Sequence, residues 1–265
     1  GRMVDTVTCI DCGVRKERAD TFMDLPLLVR KAVAAKPDTA DARGSGSGVA
    51  GESVGHGLVI DFSRYMRRMQ FEQAGNLTTV NVQAGLTLAE LNRNLKPHGV
   101  WFGPDPANRS VTTMGSVLAV NASGSHYLRS GSARDTVESM RVVTVDGEWL
   151  DLSKHHPTEP GTLGRLARGL LEIKTQHQAA IDTLESAPPA RGGYRFDGIM
   201  ESDGRVNLAK FLTGTQGSLA LIVDADVRTE AMPEERGVAL LFFHRLESAA
   251  RAAVNSLQYG PVACD

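Results

Sequence analysis

The chain has 265 residues, 42% of them hydrophobic and 23% charged, the balance of an ordinary globular protein with room for one large domain or two smaller ones. Its formal net charge of −2 gives no support for general nucleic-acid binding, which calls for a basic face. No window approaches 18 uninterrupted apolar residues, so no membrane span is expected. The start lacks the apolar core of a signal peptide, and three cysteines, Cys9, Cys12 and Cys264, do not make a disulfide framework. A cytoplasmic setting follows as the expectation, with peripheral attachment at the inner membrane as the alternative. Residue 1 is not Met and the chain stops in an apparent strand, Val262 to Asp265, so a piece of a longer protein is expected.

In chain order, Asp24 to Lys36 reads as a helix with Asp24 as N-cap and Pro26 in its first turn. Thr39 to Ala42 reads as a short strand. A glycine loop follows, Arg43-Gly44-Ser45-Gly46-Ser47-Gly48-Val49-Ala50-Gly51-Glu52-Ser53. Gly57 to Phe62 has the apolar run of a buried strand, and the alternation over Leu77 to Ala84 reads as a half-buried one. The basic run Arg64 to Arg68 reads as an exposed face. Thr87 with Glu90 three residues on forms a capping box for a helix to Leu95, and Pro97 and Gly99 end it. From Gly103 to Gly131 the chain packs Gly, Ser, Thr, Asn and Pro into a stretch with almost no period, interrupted by a helix expected from about Thr113 to Ala122. A loop of that length inside a domain is functional or disordered, and the apolar run Met114 to Val120 argues for order.

Val137 to Thr144 and Glu148 to Leu152 read as strands around an Asp146-Gly147 turn. Pro160 to Leu184 reads as helical, broken at Ala187 to Gly193. Leu208 to Leu212 leads into Thr213-Gly214-Thr215-Gln216-Gly217-Ser218 and a strand from Leu219 to Arg228. After a linker, Gly237 to Phe243, a helix from about Leu246 to Leu257, and Pro261 to Cys264 read as the start of a β-α-β unit. The fold class is α+β.

Three small-residue clusters can carry chemistry. In the first loop, Gly44, Gly46, Gly48 and Gly51 with Ser45, Ser47 and Ser53 let successive N–H groups converge on an anion. It is no Walker A loop, since no Gly-Lys-Ser/Thr follows, and no dinucleotide fingerprint, since a strand comes next; a plain surface loop is the alternative. In the second, Thr112-Thr113-Met114-Gly115-Ser116 feeds a helix whose free N–H groups would face a phosphate, with ordinary capping as the alternative. The third, residues 213–218, reads alone as a turn. Cys9-x-x-Cys12 lacks a second pair and reads as chance. His155 and His156 read as a solvated loop. His126 is the histidine best placed near a ligand. Arg129 and Arg134 could meet a phosphate or carboxylate, or form an ion pair.

Taken together and in this order, the clusters resemble FAD-linked oxidases and dehydrogenases of the vanillyl-alcohol oxidase type, in the glycolate oxidase and D-lactate dehydrogenase branch. ARGSGSGVAGES resembles their pyrophosphate loop, GPDPANRSVTTMGSVLAVNASGSHYLRSGSARDTV their second flavin segment, and LTGTQGSLALIVDADVRT their closing strand entry. The resemblance covers about Ala32 to Thr229. It implies a PCMH-type FAD-binding domain of two α+β subdomains over residues 1–230, then the truncated start of a ferredoxin-like substrate domain over 231–265. It implies that Arg43, Gly44, Ser45, Gly46, Ser47, Gly48 and Gly51 wrap the pyrophosphate and that Pro104 and Asp105 lie near the flavin. Thr112, Thr113, Gly115 and Ser116 would contact phosphate or ribityl groups, Asn121, Ser123 and Gly124 the isoalloxazine side, and Gly217 and Ile222 the adenine or flavin edge. Ser47 stands where some relatives carry a His bonded to the flavin, so non-covalent FAD is implied.

Two departures stand out. Gln216 and Ala220 replace the usual Glu and Gly, and the family's His-rich catalytic motif is absent from these residues, so no catalytic residue and no metal ligand is named. The implied activity is oxidation of a small 2-hydroxy acid such as D-lactate or glycolate, with an iron–sulfur domain or subunit as one candidate electron acceptor. The alternatives are a flavin-binding subunit without turnover and a phosphate-ligand binder without FAD.

Overall fold

The computed structural model describes residues 3–8, 15–20, 40–48, 58–74, 77–186 and 192–264. The expected helix Asp24 to Lys36, the Cys9-x-x-Cys12 pair and Gly51 lie outside them.

The largest sheet among these residues has five strands. They are β5 (Met69–Ala74), β6 (Leu77–Gln83), β8 (Val137–Thr144), β9 (Trp149–Leu152) and β12 (Ala220–Arg228), in the spatial order β5-β6-β12-β8-β9. All its pairings are antiparallel. Strand β12 therefore sits at the centre although it comes last. It carries the 213–218 loop, at its start, to the heart of the fold. A shift in register between Ile222 and Asp224 bends it there. The Asp146-Gly147 turn joins β8 to β9 as expected, with Gly147 at φ 73°.

Two smaller pairs precede the sheet. β1 (Met3–Thr8) and β2 (Arg15–Asp20) are antiparallel. β3 (Ala40–Arg43) and β4 (Leu58–Asp61) are parallel. A parallel pair needs a crossover between its strands, so the glycine loop leaves β3 at one end of the pair. Shorter pairs join β7 (Val100–Trp101) to β13 (Glu230–Ala231), and β10 (Lys154–His155) to β11 (Val206–Asn207).

Helix α1 (Leu88–Leu95) buries Leu88, Leu91 and Leu95 completely, an i, i+3, i+7 stripe that covers the sheet. They pack in one core with Val80, Phe102, Met114, Val117 and Met140. The Thr87 capping box forms as expected, with Thr87 Oγ1 accepting from Glu90 N–H at 3.3 Å. Burial pushes the Glu90 carboxyl up, but the hydrogen bonds from Thr87 and the Arg67 guanidinium outweigh it and hold it below the usual range. Replacing Thr87 by Ala should cost about 1 kcal/mol, seen as a lower denaturation midpoint with an unchanged slope.

The loop of residues 103–131 is ordered and more regular than its composition suggests. It holds α2 (Met114–Ala119), shorter than expected, and α3 (Tyr127–Ser130); α4 (Ala133–Thr136) follows at once. Two long helices, α5 (Gly161–Gln176) and α6 (Gln178–Ser186), and the short α7 (Leu208–Leu212) complete this part.

In the last stretch the expected helix forms as α8 (Leu246–Ser256), but the strands expected at 237–243 and 261–264 do not. Val238, Leu240 and Phe242 are 91%, 77% and 91% exposed. A strand needs a neighbour to take its N–H and C=O groups, and no described strand lies beside this one.

Candidate functional site: a cleft between three loops

A single cleft is bounded by the three clusters. Arg43, Gly44, Gly46, Ser47 and Gly48 form one wall, Thr112, Thr113, Gly115 and Ser116 the floor, and Gln216, Gly217, Ala220 and Ile222 the other wall. The empty space between these walls measures about 1040 Å³, open solvent at its mouth included.

Each wall follows from local structure. Phe62 N–H bonds to Arg43 C=O at 3.0 Å, which holds the end of β3 against β4 as the loop departs. Gly46 turns at φ 70°, and the Arg43 guanidinium folds against it. Gly44 faces the floor so closely that a Cβ there would lie 2.4 Å from both Ser116 Oγ and Thr113 Oγ1. On the floor these two hydroxyls bond each other at 3.1 Å. Across the mouth, Asn108 Nδ2 donates to Ser47 Oγ at 3.2 Å and ties the first loop to the second.

The third loop is fixed from below by α2: Gly214 N–H bonds to Leu118 C=O at 3.0 Å and Gln216 N–H to Ala119 C=O at 2.8 Å. Gln216 sits at φ 57°, followed by Gly217 at 77°. A non-glycine residue in the left-handed region costs about 1 kcal/mol. Gln216→Gly should therefore leave stability unchanged or raise it by about 0.5 kcal/mol, after the extra freedom of glycine in the unfolded chain is counted. A fall in the denaturation midpoint would show that the Gln side chain itself supports the loop.

The helix at the floor behaves differently from the sequence reading. Met114 N–H bonds to Leu86 C=O and Gly115 N–H to Ala84 C=O, both at 2.8 Å. These donors, expected to face a phosphate, instead tie α2 to the end of β6. Most of the cleft's surface is apolar, from residues such as Phe62, Ala84, Val120 and Ile222; its polar groups are hydroxyls, the Arg43 guanidinium and the first loop's backbone. Two hydroxyls are conspicuous. Ser45 Oγ and Thr112 Oγ1 are buried with no hydrogen-bond partner among the described residues. A buried polar atom of that kind calls for an explanation such as a ligand. They fit a group rich in phosphate and ribityl oxygens, as FAD is, and so does the close-set Gly44.

Besides Ser45, five other expected residues are not part of the cleft wall. Pro104 is buried. Asp105 accepts from His126 N–H at 3.1 Å, and its carboxylate lies 2.6 Å from His126 Nδ1. Gly124 packs on Asp105, where a Cβ would lie 2.1 Å from its carbonyl oxygen. Asn121, at φ 53°, accepts from Arg134 N–H at 2.9 Å. Ser123 is half-buried. These residues brace the two halves of the second segment, whose Pro106 and Ala122 do reach the cleft. Reading the sequence alone missed Phe62, Ala84, Pro106 and Asn108 as cleft residues. Asn108 carried a usable signal: an amide in the same polar loop.

Arg134 takes the ion-pair alternative. It is 4% exposed and donates to Lys210 C=O at 3.0 Å, Asp197 Oδ2 at 3.1 Å, Arg195 C=O at 3.3 Å and Asp197 C=O at 2.6 Å. Burial lowers its pKa. Burial pushes the Asp197 carboxyl up, but Arg195 and Arg134 prevail and hold it below the usual range. His155 is not solvated as read; its ring bonds Ser153 Oγ at 3.1 Å and Glu159 Oε2 at 2.9 Å.

Residues 28–153 match the FAD binding domain family. The chain carries an FAD-binding domain. Its fold is PCMH-type, and it is similar to FAD-linked oxidases and dehydrogenases. It is 30% identical over 223 residues to D-2-hydroxyglutarate dehydrogenase of Haemophilus influenzae, covering 80% of this chain and 22% of that protein. It is 23% identical to D-lactate dehydrogenase [cytochrome] 1, mitochondrial, of Saccharomyces cerevisiae, over 78% of this chain and 27% of that protein. It is 26% identical to glycolate oxidase subunit GlcD of Escherichia coli, over 56% of this chain and 30% of that protein. The chain thus spans 22–30% of the length of these relatives. The solved structure of an alkyldihydroxyacetonephosphate synthase has the same fold, at TM-score 0.54 and 22% identity over 81% of this chain and 32% of that one. Among the described residues no helix is long and apolar enough to cross a membrane.

Proposed function

We propose that this chain is the cofactor-binding part of an FAD-dependent oxidoreductase that oxidises a small 2-hydroxy acid, and that the three loops hold FAD non-covalently. The observation that carries the reading is a pair of buried hydroxyls with no partner among the described residues, Thr112 Oγ1 on the cleft floor and Ser45 Oγ in the first loop between the wall residues Gly44 and Gly46. The names of the relatives support the substrate class: three hydroxy acids, each with the carboxylate beside the carbon that bears the hydroxyl. Bound FAD would supply the two-electron acceptor that no amino-acid side chain offers.

The chain's own residues bind and orient. Arg43 places a positive charge beside the first loop. Ser45, Ser47, Thr112, Thr113 and Ser116 offer hydroxyls, and Gly44, Gly46, Gly48 and Gly217 let the backbone come close. Ile222 supplies an apolar edge. Ser47 cannot form the bond a histidine makes to a flavin. Asp105, Asn121, Ser123 and Gly124 act one layer further out, by holding the second segment in shape, with Pro104 buried behind. No residue is assigned an acid–base role. One relative is itself named a subunit; those of higher identity are named dehydrogenases.

The test uses the full-length, FAD-loaded protein under anaerobic conditions. D-2-Hydroxyglutarate, D-lactate or glycolate should bleach its visible flavin absorption. A flavin left fully oxidised by every 2-hydroxy acid in such a panel would refute the substrate class.

A further inference from the structure

Six exposed basic side chains come from three stretches of sequence that pack against one another beside the cleft. Arg64, Arg67 and Arg68 lie between β4 and β5, Arg93 is on α1, Lys96 follows it, and Arg109 is in the second segment; all six are exposed. Local contacts bring them together. Arg67 pairs with Glu90 on α1. Asn94 Nδ2 reaches Met69 Sδ at 3.4 Å, and the rings of Phe71 and His98 stack at 4.6 Å. Ala89 N–H donates to Arg109 C=O at 3.0 Å. Two acidic side chains lie on the same stretches: Asp61, which accepts from Ser63 Oγ at 2.6 Å, and Glu90, which pairs with Arg67.

The chain as a whole carries −2, so this face is an asymmetry of placement and not of composition. Gathering like charges opposes folding through mutual repulsion. The face also adjoins the cleft: Phe62, two residues before Arg64, and Asn108, one before Arg109, both line it. Tyr65 stands among the cations, 37% exposed, with the Arg64 guanidinium 5.2 Å from its ring centre. Arginine and tyrosine are the residues that anchor protein interfaces, and a guanidinium fork matches a carboxylate better than an ammonium does.

We propose that this face docks an acidic protein that carries electrons away from the flavin. The proposal rests on the function given above. Oxidation of one 2-hydroxy acid to its 2-oxo acid releases two electrons and two protons. Two equivalents of a one-electron acceptor take the electrons, and solvent takes the protons. A basic rim beside the cofactor raises the encounter rate with a negatively charged carrier and orients it.

The test measures binding of an acidic [2Fe–2S] ferredoxin to the FAD-loaded protein, with flavin content recorded first. At low salt the two should associate, and raising salt to about 0.2 M should weaken binding about tenfold or more, because charge pairs at a surface are screened. The triple variant R64E/R68E/R93E should lose about tenfold or more in affinity at low salt while keeping its flavin content and melting temperature. Yellow protein that ignores ferredoxin at low salt, or binds it equally well after charge reversal, overturns the proposal. So does binding to phosphatidylglycerol vesicles or duplex DNA that the reversal abolishes, with no binding to ferredoxin. A preparation that takes up no FAD overturns the function beneath the proposal, and the proposal with it.

Discussion

Replacing Arg134 by alanine should destabilise the protein by about 3 kcal/mol, the cost of removing one partner from a buried ion pair. The guanidinium serves three backbone carbonyls, those of Lys210, Arg195 and Asp197, and the Asp197 carboxylate. Without it the carbonyls lose their donors in a site that water does not reach freely, and each such loss costs about 1 kcal/mol or more. The Asp197 side chain is 37% exposed, so solvent relieves part of the charge left behind and the upper end of the range does not apply. Arg134→Lys should recover only part of the loss, because one ammonium cannot reach the same fork of acceptors. The effect should spread to the cleft. Arg134 holds the 195–197 stretch, and Gly193 N–H from the same stretch bonds Gly214 C=O in the third loop at 2.9 Å. Urea denaturation of the alanine variant within about 0.5 kcal/mol of the wild type would contradict this account.

The same pair sets an acid dependence. The Asp197 carboxyl is held below its ordinary value in the folded protein. Its contribution is therefore present above the unfolded pKa, about 3.9, and is lost as pH falls through that value and below. Asp197→Asn should flatten the stability profile in that acid range and leave its shape near neutrality unchanged.

The second large effect is at the cleft floor. Ser116→Asp puts a carboxylate beside Thr113, facing Gly44 and the expected position of the diphosphate. Two like charges about 5 Å apart at an effective dielectric of about 20 repel by about 3 kcal/mol, which is roughly a hundredfold in FAD affinity. Ser116→Asn has the same size without the charge, so the ratio of the two variants isolates electrostatics from crowding against Gly44. Equal affinities for the Asp and Asn variants would mean that the phosphates do not lie over Ser116.

Much of this architecture was legible because single residues dictated it. Thr87 and Glu90 announced α1, and Asp146-Gly147 the β8–β9 hairpin. The positions of Gly44, Gly46 and Gly217 marked where backbone comes close or turns left-handed. Other parts escaped for physical reasons. Strand β5 reads Met-Gln-Phe-Glu-Gln-Ala, too polar for an apolar run. Helix α4 hid because Asp135, not Glu or Gln, closes its box: the carboxylate accepts from Ser132 N–H and Oγ–H at 2.8 Å each. The strand reading of 237–243 rested on apolar content alone, which says nothing about whether a pairing partner is at hand.

Of the site, the three clusters could be read and their convergence could not. That Thr113 and Ser116 face Gly44 depends on the parallel pairing of β3 with β4 and on β12 lying at the sheet's centre. Both are long-range facts with no local signature. The direction of the Met114 and Gly115 N–H groups likewise depends on the end of β6, some 30 residues earlier.

The measurement that bears most directly on the cleft is FAD binding by the protein itself. Purified protein should be yellow, or should quench the fluorescence of added FAD with saturation at one equivalent, and acid precipitation should leave all the FAD in the supernatant. Folded protein that stays colourless and ignores added FAD would contradict the assignment, and flavin that remains with the pellet would contradict non-covalent attachment.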